Sequence, residues 1–147
     1  MDDVDYPLVS PFKWYAARYG RLVYAQREVR RTDGSRTTVK LHQLISSFDM
    51  TDHKDGDGLN CRRNNLRPST SLQNGANKRK PIRKLKTASQ YKGVAWREES
   101  KVWRAMIRVN WKLIHLGQFE KEIEAARAYD TAAKKYFGDF AAPNFNI

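Results

Sequence analysis

In the run VWRAMIRV, residues 102–109, Trp103, Ala105, Ile107 and Val109 fall on one side of an extended chain, while Arg104, Met106 and Arg108 fall on the other. Residues 91–98 (YKGVAWRE) and 112–119 (KLIHLGQF) read as further strands ending at turn or charged residues. The period then changes. Over residues 120–138 (EKEIEAARAYDTAAKKYFG) Ile123, Ala126, Tyr129, Ala133 and Tyr136 recur at helical spacing. Acidic residues open this helix, Lys134 and Lys135 close it, and Gly138 stops it, as the macrodipole and the left-handed cap favour. A strand with one apolar and one basic face, followed by a helix rich in alanine, predicts a three-stranded antiparallel sheet covered on one side by a single helix. The class is α+β.

The first fifty residues give a second, separate pattern. Residues 21–29 (RLVYAQREV) and 36–41 (RTTVKL) read as strands around the turn Thr32-Asp33-Gly34-Ser35. Residues 42–48 (HQLISSF) read as a short helix with Leu44, Ile45 and Phe48 inward. Trp14, Tyr15 and Tyr19 are expected to pack on this sheet, although aromatics beside arginines also suit base stacking. Another helix is expected to begin near Thr70, where Thr70 and Gln73 have capping-box spacing. It fades into a Pro-containing basic stretch without apolar periodicity, read as a linker over residues 77–90 that is disordered in the free protein. The expected organisation is therefore 1–76, linker 77–90, and 91–147, within 147 residues that suffice for two small cores.

Charge narrows the partner. The formal net charge is +12, which favours a polyanion. No acidic residue occurs between Asp57 and Glu98, while eleven lysines and arginines occupy residues 62–97. Such a run is often a solvated face; here it joins two candidate nucleic-acid-contacting units. The single cysteine, Cys61, excludes an intrachain disulfide and a cysteine-rich zinc site, and reads as a small turn residue. The acidic opening MDDVDYPLVSP is no secretory signal, and no window approaches eighteen apolar residues. A reducing compartment with access to DNA, the cytoplasm, is expected, without membrane association.

Residues 52–74 (DHKDGDGLNCRRNNLRPSTSLQN) carry the chemistry. His53 follows Asp52 directly, and Asn65 and Asn74 stand twelve and twenty-one residues beyond it. Taken alone, an Asp-His pair in a loop is ordinary turn chemistry. With the asparagines, the segment holds what phosphodiester hydrolysis needs. A histidine near its reference pKa of about 6.5 is largely neutral at pH 7 and accepts a proton from water. Asp52 offers an anionic oxygen and Asn74 a neutral carbonyl. Two oxygen ligands leave most of an octahedral shell to water and phosphate, which suits magnesium (Mg²⁺) or manganese (Mn²⁺).

This spacing resembles the HNH nuclease motif, a hairpin and helix folded around one divalent metal (the ββα-metal arrangement). The resemblance implies His53 as general base, Asp52 and Asn74 as metal ligands, and Asn65 as the residue that pins the loop and orients the histidine. The upstream VKLHQLI resembles the family's approach segment, so His42 is expected near the site rather than as a ligand.

The anchors KGV, W-R-A-x-I, HLG-x-F, EAARAYD and APNF, spanning Tyr91 to Phe145, resemble the Apetala-type DNA-binding domain of plant ethylene-responsive factors. Copies of that domain follow HNH modules in mobile, often phage-borne, homing endonucleases, the order found here. By position the resemblance implies DNA contacts from Lys92, Arg97, Arg104, Arg108, Lys112 and His115; the basic stretch adds Lys78, Arg79, Lys80, Arg83 and Lys84. Alternation independently puts Arg104 and Arg108 on the polar face. Two positions depart from the plant pattern. Ala95 replaces an arginine, and Asn110-Trp111 replaces an Asn-Gly turn, where tryptophan is poorly suited to positive φ.

The resulting expectation is a site-directed endonuclease on double-stranded DNA, with one metal and no other cofactor, acting as a monomer that nicks. The competing expectations are a DNA-binding regulator with a vestigial nuclease domain and a single-stranded-RNA binder, whose aromatic sheet face is missing here.

Overall fold

The computed structural model describes residues 1–78 and 89–145. The chain divides into two compact units, Met1–Ser71 and Leu72–Ile147. The expected linker and four of the expected DNA contacts (Arg79, Lys80, Arg83 and Lys84) fall wholly or mostly outside the described residues.

The first unit opens with a helical turn, α1 (Tyr6–Val9), followed by the strands β1 (Tyr15–Tyr19), β2 (Leu22–Arg30) and β3 (Arg36–Lys40). They form an antiparallel sheet in the order β1-β2-β3. The alternation of residues 21–29 and the Asp33-Gly34 turn place β2 and β3 where the sequence predicts them; Asp33 Oδ1 accepts the Ser35 N–H at 2.8 Å, the local bond that makes aspartate a turn residue. β1 departs from expectation. Tyr15 and Tyr19 do not pack on the sheet but belong to it, and both are exposed. They bracket Gln26, which donates to the Tyr15 hydroxyl and accepts from that of Tyr19. Trp14 does pack inward, against Val9, Ile45, Cys61 and Leu66, with its indole N–H on the Val9 carbonyl at 2.9 Å.

α2 (Leu41–Ser46) follows β3 without a loop. It stops two residues before the predicted end, because Ser47 turns left-handed (φ 55°) and carries Phe48 out to solvent. Leu44 and Ile45 face the core as expected. β4 (Thr51–His53) and β5 (Leu66–Pro68) then pair antiparallel, with Asp52 opposite Arg67 and His53 opposite Leu66. The acidic N-terminus is structural: Asp5, 1% exposed, takes the Arg63 guanidinium at 2.6 and 2.9 Å, and Asp2 accepts the Arg63 N–H.

α3 (Ser71–Asn77) starts near the predicted Thr70, at the boundary between the two units, and all but its first residue belong to the second. β6 (Val94–Arg97), β7 (Val102–Val109) and β8 (Lys112–Phe119) form the expected antiparallel meander, and α4 (Glu122–Phe137) follows. Trp103, Ala105, Ile107 and Val109 line the helix-facing side. On α4 the buried stripe is Ala125, Ala126, Tyr129, Ala132 and Ala133, whereas Ile123 and Tyr136, expected inward, are exposed. The alanines explain the rotation: lacking bulk, they let the helix approach the sheet along their own line, and the larger residues move to its margins.

Two glycines are obligatory here. Gly93 has φ 75°, and a Cβ would lie 1.9 Å from the Tyr129 ring. Gly117 (φ 143°) sits beside Leu116 where the β7–β8 register slips by one residue, a bulge that turns Leu116 into the core. The C-terminal residues are fastened by Asp130, 2% exposed, which accepts the Asn144 N–H, the Asn144 side-chain amide and the Phe145 N–H at 2.8 to 3.0 Å. Asn144 in turn exchanges bonds with the Lys92 backbone.

Gly93→Ala is expected to destabilise the second unit by at least about 2 kcal/mol, from overpacking against Tyr129 plus the left-handed backbone. Urea unfolding followed by tryptophan fluorescence measures it; a loss below about 0.5 kcal/mol would show that this packing is not tight.

Candidate functional site

Asp52 and His53 lie side by side on β4, each 6% exposed. A strand this short would expose both, were it not closed in by its partner strand and by the β2 sheet. Arg67, directly opposite on β5, donates to Asp52 Oδ2 from Nε (2.8 Å) and Nη2 (2.6 Å). Arg67 is itself largely buried, so the pair meets in a medium where each charge needs the other.

His53 stands in an aromatic enclosure. The His42 ring meets it edge-on at 4.8 Å and 89°, and the Tyr24 ring lies 5.9 Å from it and 5.4 Å from His42. Cys61 Sγ is 4.0 Å from His53 Nε2. Burial lowers the His53 pKa, opposed by the carboxylates of Asp55, Asp52 and Asp57. His42 is pushed down to about 4 by burial first, then by His53 and Lys40. Burial pushes the Cys61 thiol up to about 11, so it packs as an apolar group. Two neutral imidazoles at neutral pH result, one of which, His42, keeps a buried Nδ1 without a hydrogen-bond partner among the described residues.

The loop after His53 is built from its own turn residues. Asn65 Oδ1 accepts the Asp55 N–H, and its amide donates to Asp55 Oδ1 and to the Asn60 carbonyl. Its carbonyl receives the Lys54 N–H. Asp55 also accepts from the Asp57 N–H and the Asn60 amide, and Asp57 from the Leu59 N–H. Gly58 allows this loop to lie flat on β2: a Cβ there would stand 2.5 Å from the Val23 carbonyl and 2.6 Å from the Tyr24 ring.

His42, Asp52, His53 and Asn65 thus gather in the first unit, all buried. Asn74 lies half-buried on α3. Among the described residues no group of three or more His, Cys, Asp or Glu side chains could hold a metal. The Asp52 carboxylate, expected as a metal ligand, is the one that Arg67 grips.

On the sheet of the second unit, strand parity puts Arg97, Arg104, Arg108 and His115 on the face turned away from α4. Lys112 pairs with Val109 and has the opposite parity, at the exposed hairpin end. Lys92 is held inward, its Nζ on the Ala76 carbonyl at 2.6 Å, and burial lowers its pKa to about 8. Lys78 is exposed just after α3. Tyr24, Arg67 and Cys61 are site residues that sequence reasoning missed. Arg67 had a signal, since pairing β4 with β5 puts it opposite Asp52; Tyr24 had none, because only tertiary packing brings β2 to the histidine.

No family model matches the chain. It is 32% identical over 139 residues to an uncharacterized HNH endonuclease of Acanthamoeba polyphaga mimivirus, covering 95% of this chain and 70% of that protein. Over 87 residues, 54% of the chain, it is 34% identical to APETALA2-like protein 2 of Oryza sativa subsp. indica. Over 62 residues, 41% of the chain, it is 47% identical to an AP2-like ethylene-responsive transcription factor of Arabidopsis thaliana. These matches span 20% and 11% of the two plant proteins. No helix among the described residues is long and apolar enough to cross a membrane.

The buried imidazole of His42 makes stability pH-dependent. Its folded pKa of about 4 lies below the unfolded value of 6.5, so its contribution is complete above pH 6.5 and is lost as pH falls toward 4. Urea melts across this window should lose roughly 3 kcal/mol, and His42→Gln should flatten the slope. An unchanged slope in the variant would assign the acid sensitivity elsewhere.

Proposed function

This chain belongs to the HNH endonuclease family, and from that footing we propose that it hydrolyses phosphodiester bonds of double-stranded DNA, with its AP2-like unit choosing the site. The observation that carries the reading is the pairing on β4 of a buried neutral histidine with a buried carboxylate, beside a loop clamped by Asn65.

His53 accepts a proton from the attacking water. Its depressed pKa keeps the ring ready for that proton at pH 7, and Tyr24 and His42 hold the ring plane. As the water oxygen bonds to phosphorus, the bond to the 3′ oxygen breaks. Asp52 and Asn74 would hold one Mg²⁺ or Mn²⁺, which supplies charge neutralisation at the scissile phosphate and the departing oxygen. Asn65 does not touch substrate; it positions the histidine loop. Arg104, Arg108, Arg97 and His115 offer a basic sheet face to the major groove, where an arginine fork reads guanine O6 and N7. Lys112, Lys78 and Lys92 remain candidates for phosphate contact, Lys92 only after releasing its inward bond. Holding the duplex by a second unit raises the effective concentration of phosphate at His53. A monomer with one such site nicks, in the manner of a homing endonuclease working in the cytoplasm of its host.

One observation favours the alternative, a DNA-binding regulator with a vestigial nuclease unit: Arg67 neutralises the carboxylate expected to ligate metal. A supercoiled-plasmid assay with Mg²⁺, Mn²⁺ or chelator separates the two. The expected outcome is metal-dependent nicking, reduced at least about 100-fold in His53→Ala. Binding without cleavage on a plasmid library of varied sequence would establish the regulator, and wild-type cleavage by His53→Ala would remove His53 as the base.

A further inference from the structure

The turn joining β7 to β8 asks for glycine and carries the largest side chain. Asn110 (φ 47°) and Trp111 (φ 66°) are both left-handed, the backbone of a two-residue type I′ hairpin turn. Asparagine tolerates that region; tryptophan has no local hydrogen bond to offset its strain. Nor is Trp111 held there by packing. It is 78% exposed, whereas Trp14, Trp96 and Trp103 are all partly buried. A strained, exposed indole weakens fold and solubility alike, and strain of this kind gathers where a ligand is met.

The surroundings specify the ligand. Leu113, two residues on, is 57% exposed on the face turned away from α4, paired across the ladder with exposed Arg108. Arg104 shares that face, and its Nε is buried without a hydrogen-bond partner among the described residues. Neither β7 nor β8 contains an acidic residue. The acidic pair Glu98 and Glu99 lies in the other hairpin, at the opposite end of β7, where Glu98 takes the Trp96 indole N–H and the Lys101 ammonium, and Glu99 pairs with Arg97. An apolar tip continuous with the basic face of β7 and β8 fits a polyanion that also offers flat apolar surface.

We propose that Trp111, seconded by Leu113, is a DNA-contacting wedge: the indole packs on the sugars and base faces of duplex DNA bound along the basic side of β7 and β8. Apolar side chains pressed against base steps are a known way for proteins to grip and bend a duplex. The inference rests on the DNA-binding reading above and adds an apolar contact that arginines alone do not supply.

Substitution by glycine separates function from fold, because the two roles move in opposite directions. The full-length protein, its Trp111→Gly and Trp111→Phe variants, and Arg108→Ala are compared by fluorescence anisotropy on a labelled random-sequence duplex between 50 and 200 mM salt. Trp111→Gly should bind about tenfold more weakly, with an unchanged salt slope and a melting temperature equal to or above wild type. Trp111→Phe should stay within about twofold of wild type, and Arg108→Ala should reduce the slope by about one. Equal affinity of Trp111→Gly and wild type overturns the proposal. So does weaker binding accompanied by a lower melting temperature, which is a folding effect. Changed sedimentation of Trp111→Gly with unchanged DNA affinity would make the tip a self-contact between copies instead. If wild type binds no duplex, the DNA reading itself falls, an outcome distinct from the others.

Discussion

A carboxylate as enclosed as Asp52 is tolerable only beside a cation, and most of the first unit's geometry follows from where Arg67 supplies it. Losing one partner of a buried ion pair costs about 3 to 5 kcal/mol, so the pair holds β4 against β5 in one register. In strands of three residues that register has little other protection, and a slip by one residue would turn His53 to the opposite face. With it set, Leu66 enters the core opposite His53, and the loop between the strands closes through Asn65. Gly58 then lets the loop rest on Tyr24, and Tyr24 completes the enclosure that keeps His53 neutral.

The second unit solves a different problem by similar means. Its core is thin, an alanine-lined helix on three strands, and it gains definition from backbone closeness rather than bulk. Gly93 admits the Tyr129 ring, and Asp130 collects three N–H groups to tie down the final residues. All of this machinery sits on the helix side. The opposite face carries Arg97, Arg104 and Arg108.

Charge is used in opposite ways by the two units. In the first, carboxylates are turned inward and answered: Asp5 by Arg63, Asp52 by Arg67, Asp55 by amides and backbone. In the second, the acidic groups near the sheet are answered within their own hairpin, which leaves β7 and β8 with cations only.

Alternation in residues 102–109, the Asp-Gly and Asn turns, and the spacing of His53, Asn65 and Asn74 were legible in the sequence, because period, turn chemistry and local hydrogen bonding act over a few residues. They set the strands, the hairpins and the helix after residue 121. What tertiary structure alone decided were long-range matters. Tyr15 and Tyr19 became strand residues facing solvent, Phe48 was expelled by a left-handed Ser47, and α4 rotated to bury Ala125 and Ala132 in place of Ile123 and Tyr136. Tyr24 was brought to the His53 ring from β2. Local pattern determines which face of an element is apolar; which partner covers that face depends on packing across the whole unit, and burial, charge pairing and the pKa of His53 all follow from the partner.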